Sequence, residues 1–348
     1  MPHEFRRVRG GLVPIFETIP HQPEPENEGY IEGNIFATIK GRKFGSWVRS
    51  PFTTSDLIEA PGFIAESIYR DALGLATAKI NTASYDSAGN AGGKRENATW
   101  KYARSLNESG NSLTYLSELA SDGAVVLMRD YQDKEKVVPL DFNQPDDSTA
   151  LTTADVLEEN GQPLIRARQT HVGLIRNEFY LNYNPSYATG QYLSQLYIAA
   201  SATNMVTNTR DNTDGNGATY TALCTNSQSY YNKTERWTYN APWIRSDTTA
   251  ELFLKVMANW LTIRKWQVNA TLLYNGLTLK YELMDTCFWN VTLLPSAIRT
   301  NVGFLITKLV DGGLVKPNTI DIETLQVPIF FGKLGYGSGF SYAYGTQL

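Results

Sequence analysis

The feature that most constrains this chain is a switch of hydrophobic period in its C-terminal third. Leu252, Val256, Met257, Trp260 and Leu261 recur at helical spacing, behind Thr248 and Glu251, which read as a capping box. After Arg264 the period falls to 2: Trp266, Val268, Ala270, Leu272 and Tyr274 alternate with polar residues. Asn275-Gly276 predicts a two-residue hairpin turn, returned by Leu277, Leu279, Tyr281 and Leu283. Cys287, Trp289, Val291 and Leu293 form one face of a third strand, and Val302 to Val310 a fourth. Asp311-Gly312-Gly313 turns the chain into a fifth strand, Thr319 to Val327. A helix followed by five strands predicts a small sheet or barrel with the helix packed on it.

A chain of 348 residues is long enough for two or three domains with their own cores. Only 19% of residues are charged and the net charge is −4, so there is no basic footprint for sequence-specific nucleic-acid binding. The two cysteines, Cys224 and Cys287, allow one disulfide at most, and Cys287 reads as a core thiol. No apolar run reaches the length of a membrane span. Arg6, Arg7 and Arg9 precede only Leu12 to Phe16, too short for a secretion signal, which leads us to expect a chain made and assembled in a cytoplasm.

Residues 1–28, with Pro20, Pro23 and Pro25 among glutamates, are expected to be an extended arm. Ile31 to Trp47 reads as two short strands. Pro61 opens a helix carrying Phe63, Ile64, Ile68, Ala72 and Leu73 and closed by Gly74. Ala83 to Arg95 reads as a Gly/Ala/Ser/Asn loop. A second helix starts at Ser112 with Leu113, Leu116 and Leu119 on one face, then Ala124 to Arg129 and Val137 to Leu140 pair as strands. Asn143 to Asp155 looks like a boundary, Leu164 to Tyr183 like two strands, and Ala202 to Ser229 like a long polar loop or irregular hairpin. Phe330 to Tyr344 alternates glycine and aromatics without a core of its own, so Tyr336, Phe340, Tyr342 and Tyr344 are candidate subunit contacts.

Nothing in the chain carries recognisable chemistry. His3, His21 and His171 are the only histidines, with no zinc-ligand spacing, and His171 reads as a strand residue. Glu158-Glu159 and Asp146-Asp147 lie in turn-like stretches and read as solvated charge rather than an acid–base pair. Asp211 to Gly217 echoes a calcium loop but lacks its closing glutamate. There is no phosphate-binding glycine motif. The five Asn-x-Ser/Thr triplets, at Asn97, Asn107, Asn232, Asn269 and Asn290, reflect a chain rich in Asn and Thr. Trp237, Tyr239 and Trp243 suit either a sugar platform or a core, and the core reading is favoured. No enzyme activity, cofactor or metal is expected.

The order of segments resembles the hub proteins at the distal end of phage tails: the baseplate hub of contractile tails and the tail-tip hub of long non-contractile ones. One matching block runs from Ser50 to Pro61 and on through Ile64 to Leu75, ending Leu73-Gly74-Leu75. An "Ile…Ser-Phe-Asp"-like phrase follows as Ile80 to Asp86, with Tyr85 as its aromatic, and then Ser105 to Asp130 as helix, apolar strand and acidic turn. The last block spans Asp247 to Val327. Tyr281-Glu282-Leu283-Met284-Asp285 stands for a "Leu-Glu-Leu-Gly-Asp"-like strand end, with Met284 at the family's glycine, and Phe304 to Lys308 for the closing strand.

The resemblance covers about two thirds of the chain. It implies an α+β, mainly β architecture with two tail-tube-like β-barrel units, packed helices and an intervening helical/strand region. The divisions would be an N-terminal arm at 1–28, a first barrel from 29–50 and 156–235, an intervening region at 51–155, a helix-plus-barrel domain at 236–330 and a tail at 331–348. It further implies a virion structural protein, a homotrimer at the tail tip. Such a hub has the tail tube or distal-tail protein above and a spike, fibre or tip protein below. DNA passes without sequence recognition, through a lumen expected to be lined by Glu and Asp, and no stable membrane insertion is expected. The alternatives are a distal-tail adaptor or tube-like ring protein of the same particle and, from another class, a carbohydrate-binding receptor module. A glycan hydrolase lacks a candidate carboxylate pair.

Overall fold

The computed structural model describes residues 5–8, 11–14, 42–44, 47–48, 52–89, 100–104, 112–140, 149–186, 189–198, 217–299, 302–312 and 316–327. The chain divides into two compact units, Met1–Ile39 and Lys40–Leu348. In the first, β1 (Phe5–Val8) pairs antiparallel with β2 (Gly11–Pro14). The arm expected at 1–28 therefore contains a short antiparallel pair, and Pro20, Pro23 and Pro25 lie outside the described residues. The two strands expected over Ile31 to Trp47 lie mostly outside the described residues, where Lys43 makes a single bridge to Leu57.

The second unit is α+β. Its helical part opens with α1 (Pro61–Ser67), proline at its first position, continued by one π-helical stretch, Ile68–Ala72. Gly74, at φ +70°, ends it in the left-handed conformation, as Pro61 and Gly74 predict. Next comes α2 (Thr82–Gly89), where a loop was expected. Ser84 hydrogen-bonds back to Asn81 and starts that helix despite its small residues. In α3 (Ser112–Asp122) Leu116 and Leu119 are buried, but Leu113 is 70% exposed, in the first turn of the helix.

The antiparallel hairpin of β3 (Val125–Arg129) and β4 (Glu135–Pro139) follows as expected. The presumed boundary at 143–155 contains β5 (Ala150–Thr152), which pairs parallel with a strand near residue 288. Then come the two-residue pair β6 (Glu158–Glu159) and β7 (Gln162–Pro163), followed by β8 (Ile165–Gln169), β9 (Glu178–Pro185) and β10 (Tyr192–Ile198). The polar segment expected to be irregular ends in α4 (Gly217–Tyr231), while 202–216 lie outside the described residues. Its Ala, Thr, Asn and Ser content hides the helix from a periodicity reading, although Leu223, Cys224 and Ser227 are buried.

The remaining elements are β11 (Arg236–Asn240), α5 (Asp247–Leu261), β12 (Trp266–Leu273), β13 (Thr286–Asn290), β14 (Gly303–Asp311) and β15 (Thr319–Gln326). Six strands form one sheet in the order β5-β13-β14-β15-β12-β8, and three form another in the order β10-β9-β11. Leu164 to Tyr183 therefore supplies one strand to each sheet, and the segment 156–235 does not stay within one.

Each sheet has its own core. The six-stranded sheet buries Val268, Ala270, Leu272, Cys287, Trp289, Phe304, Ile306 and Ile322, the alternation read from the sequence. In β13 that alternation breaks past Val291: Leu293 is exposed and Leu294 is buried instead. The three-stranded sheet buries Phe179, Leu181, Leu196 and Ile198 against α5, α3 and α4.

Two corrections concern the C-terminal block. Helix α5 packs into the core of the three-stranded sheet, through Ala250, Phe253, Leu254 and Ala258, rather than onto the strands that follow it. It starts two residues earlier than the capping box implied, with Ser246 as its cap and no side-chain capping bond. The Asn275-Gly276 hairpin is absent, because β12 already has β15 on one edge and β8 on the other. Asn275 Oδ1 instead accepts from the N–H groups of Leu277 and Thr278, both at 2.8 Å, and starts a short 3-10 turn, Thr278–Lys280. Leu279 is accordingly exposed.

The start of α1 meets the end of α3 with no room for a side chain. A Cβ on Gly123 would lie 2.8 Å from the Leu119 carbonyl oxygen and 2.9 Å from Pro61 Cβ. Gly123→Ala is expected to destabilise the fold by about 1–3 kcal/mol, the usual cost of overpacking. Thermal denaturation beside Ser121→Ala, an exposed change two residues away, measures it; equal midpoints for the two variants would contradict the close approach.

Candidate functional site

The Gly/aromatic contact candidates Tyr336, Phe340, Tyr342 and Tyr344 lie outside the described residues, as do His3, His21 and Asp146-Asp147. Of the calcium-like stretch only Gly217 is described, as the first residue of α4. His171 is exposed and caps a short 3-10 turn, its Nδ1 accepting from the Gly173 N–H at 3.0 Å. Glu158 and Glu159 are exposed in β6. Among the described residues no three His, Cys, Asp or Glu side chains gather as a metal site would require. Cys224 and Cys287 are both buried free thiols, raised by burial, and no helix of the described residues is long and apolar enough to cross a membrane.

The aromatic trio is internal. Trp237 and Tyr239 stack with centroids 5.2 Å apart and lie over Phe253, and Trp243 is 3% exposed. The opposite face of the same sheet carries what the sequence reading missed. Arg236 lies over Tyr180 at 4.6 Å, Tyr180 stacks on Tyr197 at 5.9 Å, and Gln195, Asn182 and Asn240 form an amide row with bonds of 2.7 and 2.8 Å. The signal lay in the alternation of Glu178, Tyr180 and Asn182, each of which faces away from the core.

The chemically distinctive group is Asp122, the last residue of α3 and wholly buried. Its Oδ1 accepts from the Tyr239 hydroxyl at 2.7 Å and its Oδ2 from the Trp243 N–H at 2.8 Å, while the Tyr102 hydroxyl donates to its backbone carbonyl. Beside it Arg104 pairs with Glu118 and lies over the rings of Tyr115 and Trp243 at 5.0 and 5.5 Å. Burial pushes the Asp122 carboxyl up to about 7, against the pull of the Trp243 and Tyr239 hydrogen bonds; Glu118 adds to the rise and Arg104 opposes it. With every donor already supplied by the protein itself, this carboxylate is a structural joint.

Two lysines occupy contrasting sites. Lys265 is buried between α5 and β12 with its Nζ donating to the Asn259 carbonyl at 3.0 Å, and burial pulls its amine down to about 7. Lys136 on β4 reaches Glu282 at 2.9 Å and Asp285 at 3.4 Å. Burial lowers the Lys136 amine, but the Glu282 hydrogen bond and the charges of Asp285 and Glu282 outweigh it, and the net shift is upward.

No protein-family model matches the chain, and no curated protein matches it in sequence. Three solved structures share part of its backbone arrangement. One belongs to the virion of a native gene transfer agent particle, at 12% identity and TM-score 0.39, over 67% of this chain and 43% of that one. Another is a prophage tail protein from Listeria monocytogenes EGD-e, at 10% identity and TM-score 0.35, over 65% and 56%. The third is a 43 kDa tail protein of prophage MuSo2 from Shewanella oneidensis, at 10% identity and TM-score 0.34, over 64% and 56%. This chain thus spans about half the length of the structures it aligns with, and at these TM-scores the likeness carries no assignment.

Asp122 and Lys265 make opposite contributions to stability as pH changes. The Asp122 carboxyl is raised on folding, from 3.8 to about 7, so its contribution is full below about 3.8 and is lost as pH rises through 7. The Lys265 amine is depressed, from 10.5 to about 7, so its contribution is full above about 10.5 and is lost as pH falls through 7. Their combined cost is therefore greatest near pH 7. Lys265→Met is expected to raise the urea midpoint at pH 7, with the gain over wild type shrinking towards pH 10. A gain that stays constant across that range would refute an amine whose charge is opposed by burial.

Proposed function

We propose that this chain is a structural protein of a phage tail: a hub at the distal end that joins the tube to the tip and carries a spike or fibre. The observation that carries this reading is the ordered set of family-like segments, and above all Met284. The resemblance places a glycine there, and the backbone at Met284 takes φ +68°, the left-handed conformation for which glycine is the usual choice. The other segments support the same reading. Pro61 starts a helix and Gly74 closes it at φ +70°. Phe304 to Lys308 fall on β14, central in the six-stranded sheet.

In this reading the protein works mechanically. The six-stranded sheet ends at β5 and β8, and neighbouring copies in a ring would complete the tail-tube-like barrels there. Obligate rings of this kind bury on the order of 2,000 Å2 or more per interface, and the Gly/aromatic tail at 331–348 supplies anchors for them. DNA passes through a channel lined by more Asp and Glu than Lys and Arg, since like charges repel within a Debye length of ~8 Å. The protein assembles as a trimer, with the tube or distal-tail protein above and a spike, fibre or tip protein below.

Electron microscopy of the assembled particle tests this. Three copies of the chain around the tail axis at the tip are expected. Six copies would replace the hub with an adaptor or tube ring, and a channel wall dominated by Lys and Arg would remove the electrostatic part of the mechanism.

A further inference from the structure

Among the described residues, the two largest cores of the second unit meet only narrowly. One lies around the three-stranded sheet and α5, the other inside the six-stranded sheet. Between them is a small cluster of Val138, Leu305 and Val327, with Met128, Leu140, Trp260 and Met284 packed around it. The hairpin of β3 and β4 serves both sides. Val125, Leu127 and Val137 face the first core, while Met128 and Val138 on the opposite face meet the second part, where Lys136 binds Glu282 and Asp285.

Two chain crossings between these parts run side by side and are bonded to each other. Thr170 N–H donates to the Lys265 carbonyl at 2.8 Å and Lys265 N–H to Thr170 Oγ1 at 3.0 Å. Arg264 Nε donates to the Thr170 carbonyl at 2.6 Å, and Arg176 N–H to that of Leu261 at 2.8 Å. These bonds lie where β8 ends and β12 begins. The Lys136 contact lies at the start of β13, and β12 is separated from β13 by β15 and β14. At the usual strand spacing the two points are about 14 Å apart.

We propose that the six-stranded sheet is a hinged lobe. Its pivot is the bonded pair of crossings at Thr170 and Lys265, and its latch is Lys136 against Glu282 and Asp285. Two of the four bonds at the pivot join backbone to backbone, and the other two join a side chain to the backbone, so the crossings stay side by side while the lobe turns about them. The latch is a charge contact whose side chains keep a little solvent exposure, 16% and 19%, so salt and charge removal weaken it. The inference rests on packing within one chain and is independent of the hub reading.

Pulsed electron paramagnetic resonance on the full chain tests it, with Cys224 and Cys287 replaced by alanine and spin labels at Thr114→Cys on α3 and Asn290→Cys at the end of β13. Raising NaCl from about 0.05 to 1 M collapses the Debye length to ~3 Å. That change, or Lys136→Met at low salt, is expected to lengthen or broaden the distance. The shift is on the order of 5 Å, the arc of a lever three strands wide turned through about 20°. Lys136→Arg, which keeps the charge, retains the parent distance at low salt. Label pairs placed within each lobe stay unchanged. An unaltered distance under high salt and in Lys136→Met overturns the hinge, as does a shift accompanied by changes within a lobe, which would mean melting. If Lys136→Met fails to fold, the salt series on the labelled parent chain decides.

Discussion

The first core is tied together at one carboxylate. Asp122 ends α3, Tyr239 sits on β11, Trp243 lies in the segment leading to α5, and Tyr102 belongs to a strand-like stretch before α3. These residues come from three stretches of the chain and converge on the aspartate's own oxygens, beside a direct backbone bond from the Ala103 N–H to the Trp243 carbonyl. Removing the side chain would leave a buried hydroxyl and a buried N–H without acceptors, each costing about 1–3 kcal/mol. An apolar replacement could fill the volume but could not dictate which segment lies where. The buried charge thus fixes an arrangement that hydrophobic packing alone would leave degenerate. Trp237 and Tyr239 on β11 stack on each other and lie over Phe253 of α5, so the residue that bonds Asp122 also belongs to the aromatic cluster.

Much of the six-stranded sheet was legible because its strands bury one face and alternate cleanly. Val268, Ala270 and Leu272 on β12, Cys287 and Trp289 on β13, and Ile320 and Ile322 on β15 are read correctly by period alone. The same rule misled at Leu277 to Leu283, where polar and apolar residues alternate by accident. What decides there is a side-chain bond from Asn275 and the absence of a free edge on β12, and neither is a local property. Helix α4 was illegible for the opposite reason: its Thr, Ser and Asn residues favour turns in isolation, and only tertiary burial of Leu223 and Cys224 makes it a helix. Asp122 gave no signal at all. A single aspartate after Leu116 and Leu119 looks like a polar helix end, and its partners stand more than a hundred residues away.

Sheet ends tell a related story. β8 is an edge strand, and it presents Arg166 and Arg168 outward. Charged side chains on an edge discourage indiscriminate pairing while leaving the backbone free for a partner that can match them. Across the sheet from Arg166 the register runs through Asn269 to Glu323, with Lys308 beyond it. That row mixes signs, so the outer face of the sheet carries no strong field of either polarity.

Met284 shows how the joint between the two parts is balanced. A left-handed backbone costs a residue with a Cβ about 1 kcal/mol or more relative to glycine. The Met284 N–H donates to the Ile306 carbonyl at 2.8 Å and the Ile306 N–H to that of Asp285 at 2.8 Å, so the turn geometry is imposed by β14 whichever residue stands there. Glycine would relieve the strain but leave the cluster of Val138, Leu305 and Val327 without the side chain that packs against it. Fully burying a methionine contributes roughly 1.5–3 kcal/mol; Met284 is half-buried, so its packing offsets the backbone cost without greatly exceeding it. The strained residue thus stands beside the small apolar cluster through which the two cores meet.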